Sequence, residues 1–270
     1  MILVNGEPQD TISANDRGLA YGDGVFRTLA VRGGKALCWR LHYAKLCGDC
    51  ERLAIPAPDE GALLDDIASA TQEMAECAVK IIVTRGAGER GYALPVQVRA
   101  TRIVISSPLP AYPDKNATLG IKAQVCELRL ADQPRLAGIK HLNRLENVLA
   151  RAEWSDPSIA EGLLLDQYGN VIEGVASNLF IILRGVIVTP ALSRCGVAGV
   201  TRDRILAWAR DTAMPSEIRE IPLAELLIAE EVMMCNSLIG VWQVREIDGK
   251  YWECGTHTLP IRKYLMERHA

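Results

Sequence analysis

The sequence has no apolar run near the ~20 residues that a helix needs to cross a bilayer. Its opening stretch, MILVNGEPQD, has no basic segment followed by a long apolar one, so it does not read as a secretory signal. A soluble, cytoplasmic chain with no membrane partner is therefore expected. Neither half carries a basic run, and the formal net charge is −3, so nothing points to a nucleic acid or an anionic surface as partner. None of the four histidines (His42, His141, His257, His269) has a neighbour at metal-ligand spacing. Among the eight cysteines only Cys47 and Cys50 form a CxxC, and the second close pair that a zinc site wants is missing. No metal is expected, and the thiols read as free side chains in a reducing compartment. There is no Gly-x-Ser-x-Gly elbow and no glycine loop ending in Gly-Lys-Ser/Thr.

What is present is ample core material. Of 270 residues 49% are hydrophobic and 23% charged, a globular balance that fits one large domain or two modest ones. VFRTLAVRGGKALCW reads as a hairpin turning at Gly33-Gly34. Helices are expected over 42–53 and about 61–78, the second from Leu63, Ile67, Met74 and Ala78. VKIIVT and RIVISS are β-branched runs and read as strands. SPLPAYPDKNAT holds three prolines and is expected to be an extended linker.

Beyond it, Leu142, Leu145, Leu149 and Ala152 suggest a helix, and GLLLD, VIEG, NLFIIL, VIVTP, EVMMCNS and VWQVREID suggest strands. A further helix is expected over 201–212, and LPIRKYLMERH as a closing one. The fold class is α+β. The expected organisation is an N-terminal α+β domain over 1–107, a linker over 108–119, and a C-terminal domain over 120–270. So many short strands in the last suggest a closed or nearly closed, barrel-like sheet.

Several residues could carry chemistry. Gly196-Val197-Ala198-Gly199-Val200-Thr201 precedes a helix, and a glycine turn at a helix N-terminus suits a phosphate. An ordinary turn with Thr201 as cap would look the same. Lys140, in RLAGIKHLNRLENV, follows a small apolar run; partial desolvation there would free its amine for imine formation. By composition alone a solvated lysine at a helix start is the commoner arrangement. Glu173 sits in an otherwise apolar strand, where a buried carboxylate needs a partner such as a protonated ring nitrogen. A strand-end glutamate facing water is the plainer alternative. TRGAGERGY places Arg85 and Arg90 among glycines, as a carboxylate-binding loop or a simple hairpin turn.

These stretches fall in a recognisable order. DRGLAYGDGVFRT, VTRGAGERGY, LAGIKHLNRLENVLAR, GNVIEGVASNLF, GVAGVTR and CNSLIGV together resemble the fold-type IV enzymes that use pyridoxal 5′-phosphate (PLP). That family includes branched-chain aminotransferases, D-amino acid aminotransferases and aminodeoxychorismate lyases, and HLNRLENV is most similar to the lyases. The resemblance spans nearly the whole chain. It implies two domains, a smaller N-terminal α/β sandwich and a larger barrel-like one, with the cofactor in a cleft between them, and a homodimer.

By the same resemblance Lys140 carries PLP as an imine and Glu173 pairs with the pyridine nitrogen. Thr201, the backbone N–H of Val200, and Ser237 are implied as phosphate ligands. Most relatives have an arginine in a His-x-x-Arg-Leu stretch; here His42-Tyr43-Ala44-Lys45-Leu46 puts Lys45 there, which supplies charge but no two-pronged contact. The implied reaction turns 4-amino-4-deoxychorismate into 4-aminobenzoate and pyruvate, a step in folate biosynthesis. Lys140 would move the proton, Thr28 would help protonate the enolpyruvate methylene, and Arg90 would take a substrate carboxylate, with Asn143 and Arg144 lining the site. A D-amino acid or branched-chain transaminase on the same fold, or a non-catalytic PLP-binding protein, are the alternatives.

Overall fold

The computed structural model describes residues 1–268; 269 and 270, and with them His269 and the last residues of the expected 120–270 domain, lie outside the described residues. The chain divides into two compact units. One comprises Met1–Pro110 together with Lys140–Asn143; the other comprises Ala111–Ile139 and the chain from Arg144 onward.

The first unit contains β1 (Ile2–Val4), β2 (Glu7–Pro8), α1 (Arg17–Tyr21), β3 (Gly24–Arg32), β4 (Lys35–Ala36), α2 (Trp39–Arg52), α3 (Glu60–Thr71), β5 (Glu76–Thr84) and β6 (Thr101–Ser107). They form a six-stranded sheet of order β2-β1-β6-β5-β3-β4, with α2 packed on β3 and α3 on β6 and β1. The Gly33-Gly34 hairpin joins β3 to β4 as the sequence suggests. Asp59 caps α3 by accepting the Ala62 N–H at 3.0 Å. The helix expected to reach residue 78 stops at Thr71, because from Glu76 the chain pairs with β3 and from Ala78 with β6 as well, Ala78 lying opposite Ala30 and Ser107. Met74 and Ala78 thus match a helical period by coincidence, and tertiary pairing decides their state.

The second unit contains α4 (Asp114–Thr118), β7 (Ile121–Leu130), α5 (Leu145–Arg151), β8 (Ile159–Asp166), β9 (Val171–Gly174), β10 (Asn178–Leu183), β11 (Val186–Pro190), α6 (Val200–Asp211), β12 (Ser216–Arg219), α7 (Leu223–Leu227), β13 (Glu231–Asn236), β14 (Gly240–Ile247), β15 (Lys250–Tyr251) and α8 (Thr258–Glu267). Nine strands make one sheet, ordered β12-β11-β10-β13-β14-β7-β8-β9 with β15 on β14. Its terminal strand β9 comes back against β10 and β11, so the sheet is curled and nearly closed. Side chains alternate across it. Leu179 and Ile181 of β10 join Leu163, Val232 and Trp242 inside the curl, while Phe180 and Ile182 pack against Ile205 and Trp208 of α6 and Ile261 of α8. Both faces are buried, which is why these strands read as continuous apolar runs.

The architecture is α+β, as expected. Two local expectations need correcting. The proline-rich stretch is not extended throughout: α4 forms over Asp114–Thr118, entered from Pro113, whose fixed φ suits a helix start. Leu142 is not helical either. Its N–H donates to the Gly24 carbonyl at 3.0 Å, and α5 begins only at Leu145. No helix among the described residues is long and apolar enough to cross a membrane.

Candidate active site

The first unit holds Lys140 by its main chain. The Phe26 N–H donates to the Lys140 carbonyl at 2.9 Å, Val25 bridges His141, and Leu142 bonds to Gly24, so residues 140–142 run beside β3 as an added edge. Gly24 is what allows the approach: a Cβ there would stand 2.7 Å from Leu142 Cδ1 and 2.6 Å from the Val83 carbonyl oxygen. The Lys140 N–H donates to Asp49 Oδ2 on α2 at 3.1 Å. Asp49 in turn forms a buried ion pair with Arg27 of β3. The Lys140 amine lies 4.4 Å from the centre of the Phe26 ring, in a half-buried position, and the ring face favours a cation there.

Strand alternation puts Arg27 toward α2, and Phe26 and Thr28 on the opposite face. Thr28 is half-buried, directly across from Lys80, whose amine also lies over Phe26, at 5.1 Å. Lys45 is half-buried on α2, and its carbonyl accepts from Arg27 Nη2 at 3.2 Å. Asn143 is exposed and donates to the Gly22 carbonyl at 3.2 Å. Arg90 is exposed in a loop fixed by Arg17, which donates to the carbonyls of Gly91 and Ala93. Arg85, the other arginine of that motif, is not available to a ligand. It is buried, and its guanidinium donates to Asp23 and to the carbonyls of Leu53 and Ala54.

The second unit assembles the anion-binding features. Glu173 is buried on β9, and its Oε2 accepts the Val197 N–H at 2.8 Å. Gly196 makes that turn possible. It has φ +82°, and a Cβ would fall 2.7 Å from Ile172 Cγ2 and 2.8 Å from Leu192 Cδ2. Asn178 clamps the turn from β10: its amide donates to the Val197 carbonyl at 2.7 Å and accepts the Gly199 N–H at 3.0 Å. Gly199 then caps α6 without a side chain, which leaves the first-turn N–H groups of Val200 and Thr201 to an anion. The hydroxyls of Thr201 and Ser237 stand 3.5 Å apart at that end. Arg144 is half-buried near Glu173. Burial lowers its guanidinium from the ordinary value, against the opposing charges of Glu173 and Glu146.

Ten site residues were expected from the sequence. Thr28, Lys45, Arg90, Lys140 and Asn143 belong to the first unit, and Arg144, Glu173, Val200, Thr201 and Ser237 to the second. Three supporting residues escaped that reading: Arg27, Asp49 and Asn178. Asn178 had a visible signal, a lone amide opening the apolar NLFIIL run. No cysteine among the described residues forms a disulfide; burial pushes Cys50, Cys126, Cys195 and Cys235 each up to about 12, which keeps these thiols inert. Among the described residues no group of three or more His, Cys, Asp or Glu side chains could hold a metal ion.

The model of the amino-transferase class IV family matches residues 24–247. Aminodeoxychorismate lyase of Vibrio harveyi is 38% identical over 248 residues, covering 92% of this chain and 91% of that protein. The crystal structure of 4-amino-4-deoxychorismate lyase from Pseudomonas aeruginosa superposes with a TM-score of 0.95 at 48% identity, covering 99% of this chain and 98% of that one. D-alanine aminotransferase of Bacillus licheniformis is 27% identical over 265 residues, covering 92% and 89%.

Proposed function

Starting from a chain that belongs to the amino-transferase class IV family, we propose a PLP-dependent lyase that converts 4-amino-4-deoxychorismate into 4-aminobenzoate and pyruvate. The observation that carries this reading is the likeness to the lyase of Pseudomonas aeruginosa, close in fold and 48% identical in sequence over nearly the whole of both chains. The residues present fit the cofactor. An α6 N-terminus capped without a side chain, with two hydroxyls beside it, suits a phosphate, and the buried Glu173 carboxylate suits a protonated ring nitrogen.

When bound, PLP draws electrons from the substrate carbon that bears the amine and so acidifies its proton. Lys140 would hold the cofactor covalently and, when released from it, would be the base. Its freed amine then takes the proton from that ring carbon. Enolpyruvate leaves from the neighbouring carbon, and the ring becomes aromatic, which makes the step downhill. Glu173 keeps the ring nitrogen protonated. Val200, Thr201 and Ser237 bind the phosphate, and Lys45 adds charge to it. Thr28 assists protonation of the enolpyruvate methylene. Arg90 receives a substrate carboxylate, and Asn143 and Arg144 line the substrate. The enzyme works in the cytoplasm as a homodimer. In support of the dimer, α5 exposes Leu145, Val148 and Leu149 along one stripe, spaced three and four residues apart.

The test is purified, PLP-loaded protein given aminodeoxychorismate with 4-aminobenzoate fluorescence followed, and sedimentation for the dimer. Formation of 4-aminobenzoate without an amino acceptor supports the lyase. A strict requirement for a 2-oxo acid would instead mark a transaminase.

A further inference from the structure

We propose that Asp49, held by Arg27, is the residue that positions Lys140. This rests on the reading of Lys140 as the lysine that holds the cofactor. Asp49 Oδ2 accepts the Lys140 N–H at 3.1 Å, although the two are 91 residues apart in sequence. Its carboxylate is 10% exposed and its partner, the Arg27 guanidinium, 3%, so the pair is shielded from solvent and little screened by salt. Arg27 also donates to the Lys45 carbonyl, so one guanidinium fixes both α2 and the carboxylate that α2 carries.

The geometry is that of a vice on the Lys140 backbone. Phe26, beside Arg27 on β3, donates its N–H to the Lys140 carbonyl from one side, and Asp49 accepts the Lys140 N–H from the other. The Phe26 ring then lies under the amine. Strand alternation links these roles: Phe26 and Arg27 face opposite ways, so the register that sets the ring under the amine also sets Arg27 against Asp49. The other contacts of residues 140–142 with β3 are backbone bonds, which the missing Cβ of Gly24 permits, and the Phe26 ring under the amine. The Asp49 contact brings a charged side chain of α2 onto the Lys140 backbone, and a proton transfer is sensitive to such placement.

A buried ion pair replaced by apolar side chains of similar size is often neutral for stability, which gives a variant that removes the acceptor and keeps the fold. In the cofactor-free protein, Arg27→Met/Asp49→Leu should stay folded, its melting temperature falling by no more than about a few degrees, while amide exchange at Lys140 speeds up by about tenfold or more. In the loaded enzyme kcat should fall by about tenfold to a hundredfold with KM nearly constant. Asp49→Asn, which retains an acceptor oxygen, should recover part of the loss. Asp49→Ala is measured beside the double variant and read the same way if that one does not fold. Unchanged exchange at Lys140, or an undiminished kcat, overturns the proposal. Borohydride treatment of the parent enzyme separates the two readings. A pyridoxyl label on Lys140 together with unaffected variants removes the positioning role alone, whereas an unlabelled Lys140 in the parent removes both.

Discussion

The two units hold their chemical groups by different means. In the first, Lys140 sits on a short segment that borrows order from β3 through main-chain bonds and from α2 through a charged side chain. In the second, Glu173 is part of a sheet strand, and the turn that meets it is shaped by the space around Gly196 and clamped by the neutral amide of Asn178. The first unit also holds buried paired charges: Arg27 with Asp49 beside Lys140, and Arg17 and Arg85 with Asp23. In the second, Glu173 and Glu161 accept from backbone and hydroxyl groups instead, Glu161 from Ser177 and from the N–H groups of Gly162 and Ala176. Charge pairs fix a segment that must be held from outside its own strand. Neutral donors suffice where the sheet already fixes the backbone.

The largest effect expected is at the held segment. Lys140→Ala should abolish both borohydride labelling at that position and formation of 4-aminobenzoate, with the fold retained, since the bonds that order the segment use its backbone. Circular dichroism beside the activity assay checks this; undiminished turnover would rule out the proposed chemistry. On the other side, Glu173→Gln keeps an oxygen for the Val197 N–H but removes the charge. Turnover should fall by about a hundredfold, equal to about 2.7 kcal/mol of barrier, with little change in melting temperature. A loss of stability matching the loss of activity would mean that Glu173 serves only to hold the turn.

The third effect is on stability. Asn178→Ala leaves the Val197 carbonyl and the Gly199 N–H without their partner, at a cost of about 1–3 kcal/mol. Urea denaturation measures it, and PLP affinity should weaken with it as the α6 N-terminus loosens. An unchanged denaturation midpoint would show that the amide is not a clamp.

These residues show what the sequence can and cannot carry. The β-branched runs of β5, β10 and β11 and the glycine turn before α6 were legible because their signals are local. The order of motifs marked Lys140 and Glu173. Asp49 and Arg27 were not legible: they lie 22 residues apart, on a helix and a strand, and neither breaks its local pattern enough to stand out. Arg85 misled for the same reason. It shares a glycine loop with Arg90, and only the fold shows its guanidinium spent on Asp23. Leu142 fitted a helical period yet pairs with Gly24, an interaction across more than a hundred residues that no window could contain.

The smallest effect expected is in the pH dependence of two carboxyls, Asp23 of the first unit and Glu161 of the second, which are shifted in opposite directions. Burial acts to raise the Asp23 carboxyl, but hydrogen bonds from Arg85 and Arg17, with their charges, outweigh it and hold the group below its ordinary 3.8. A carboxyl depressed in the folded state adds stability above its ordinary value and loses it as pH falls through the folded one. Glu161 is the reverse. Burial raises it above the ordinary 4.5, despite hydrogen bonds from Ser177 and from backbone N–H groups that act to lower it. Its stabilising share is complete below the ordinary value and is lost as pH rises through the folded one. Asp23→Asn should therefore flatten the acid limb of the stability curve and Glu161→Gln the limb above it, each leaving the other limb as it was. Denaturation midpoints taken across pH 3 to 8 read both limbs. If both substitutions flattened the same limb, the contrast between a charge-paired and a neutrally bonded carboxylate would not govern how Asp23 and Glu161 respond to pH.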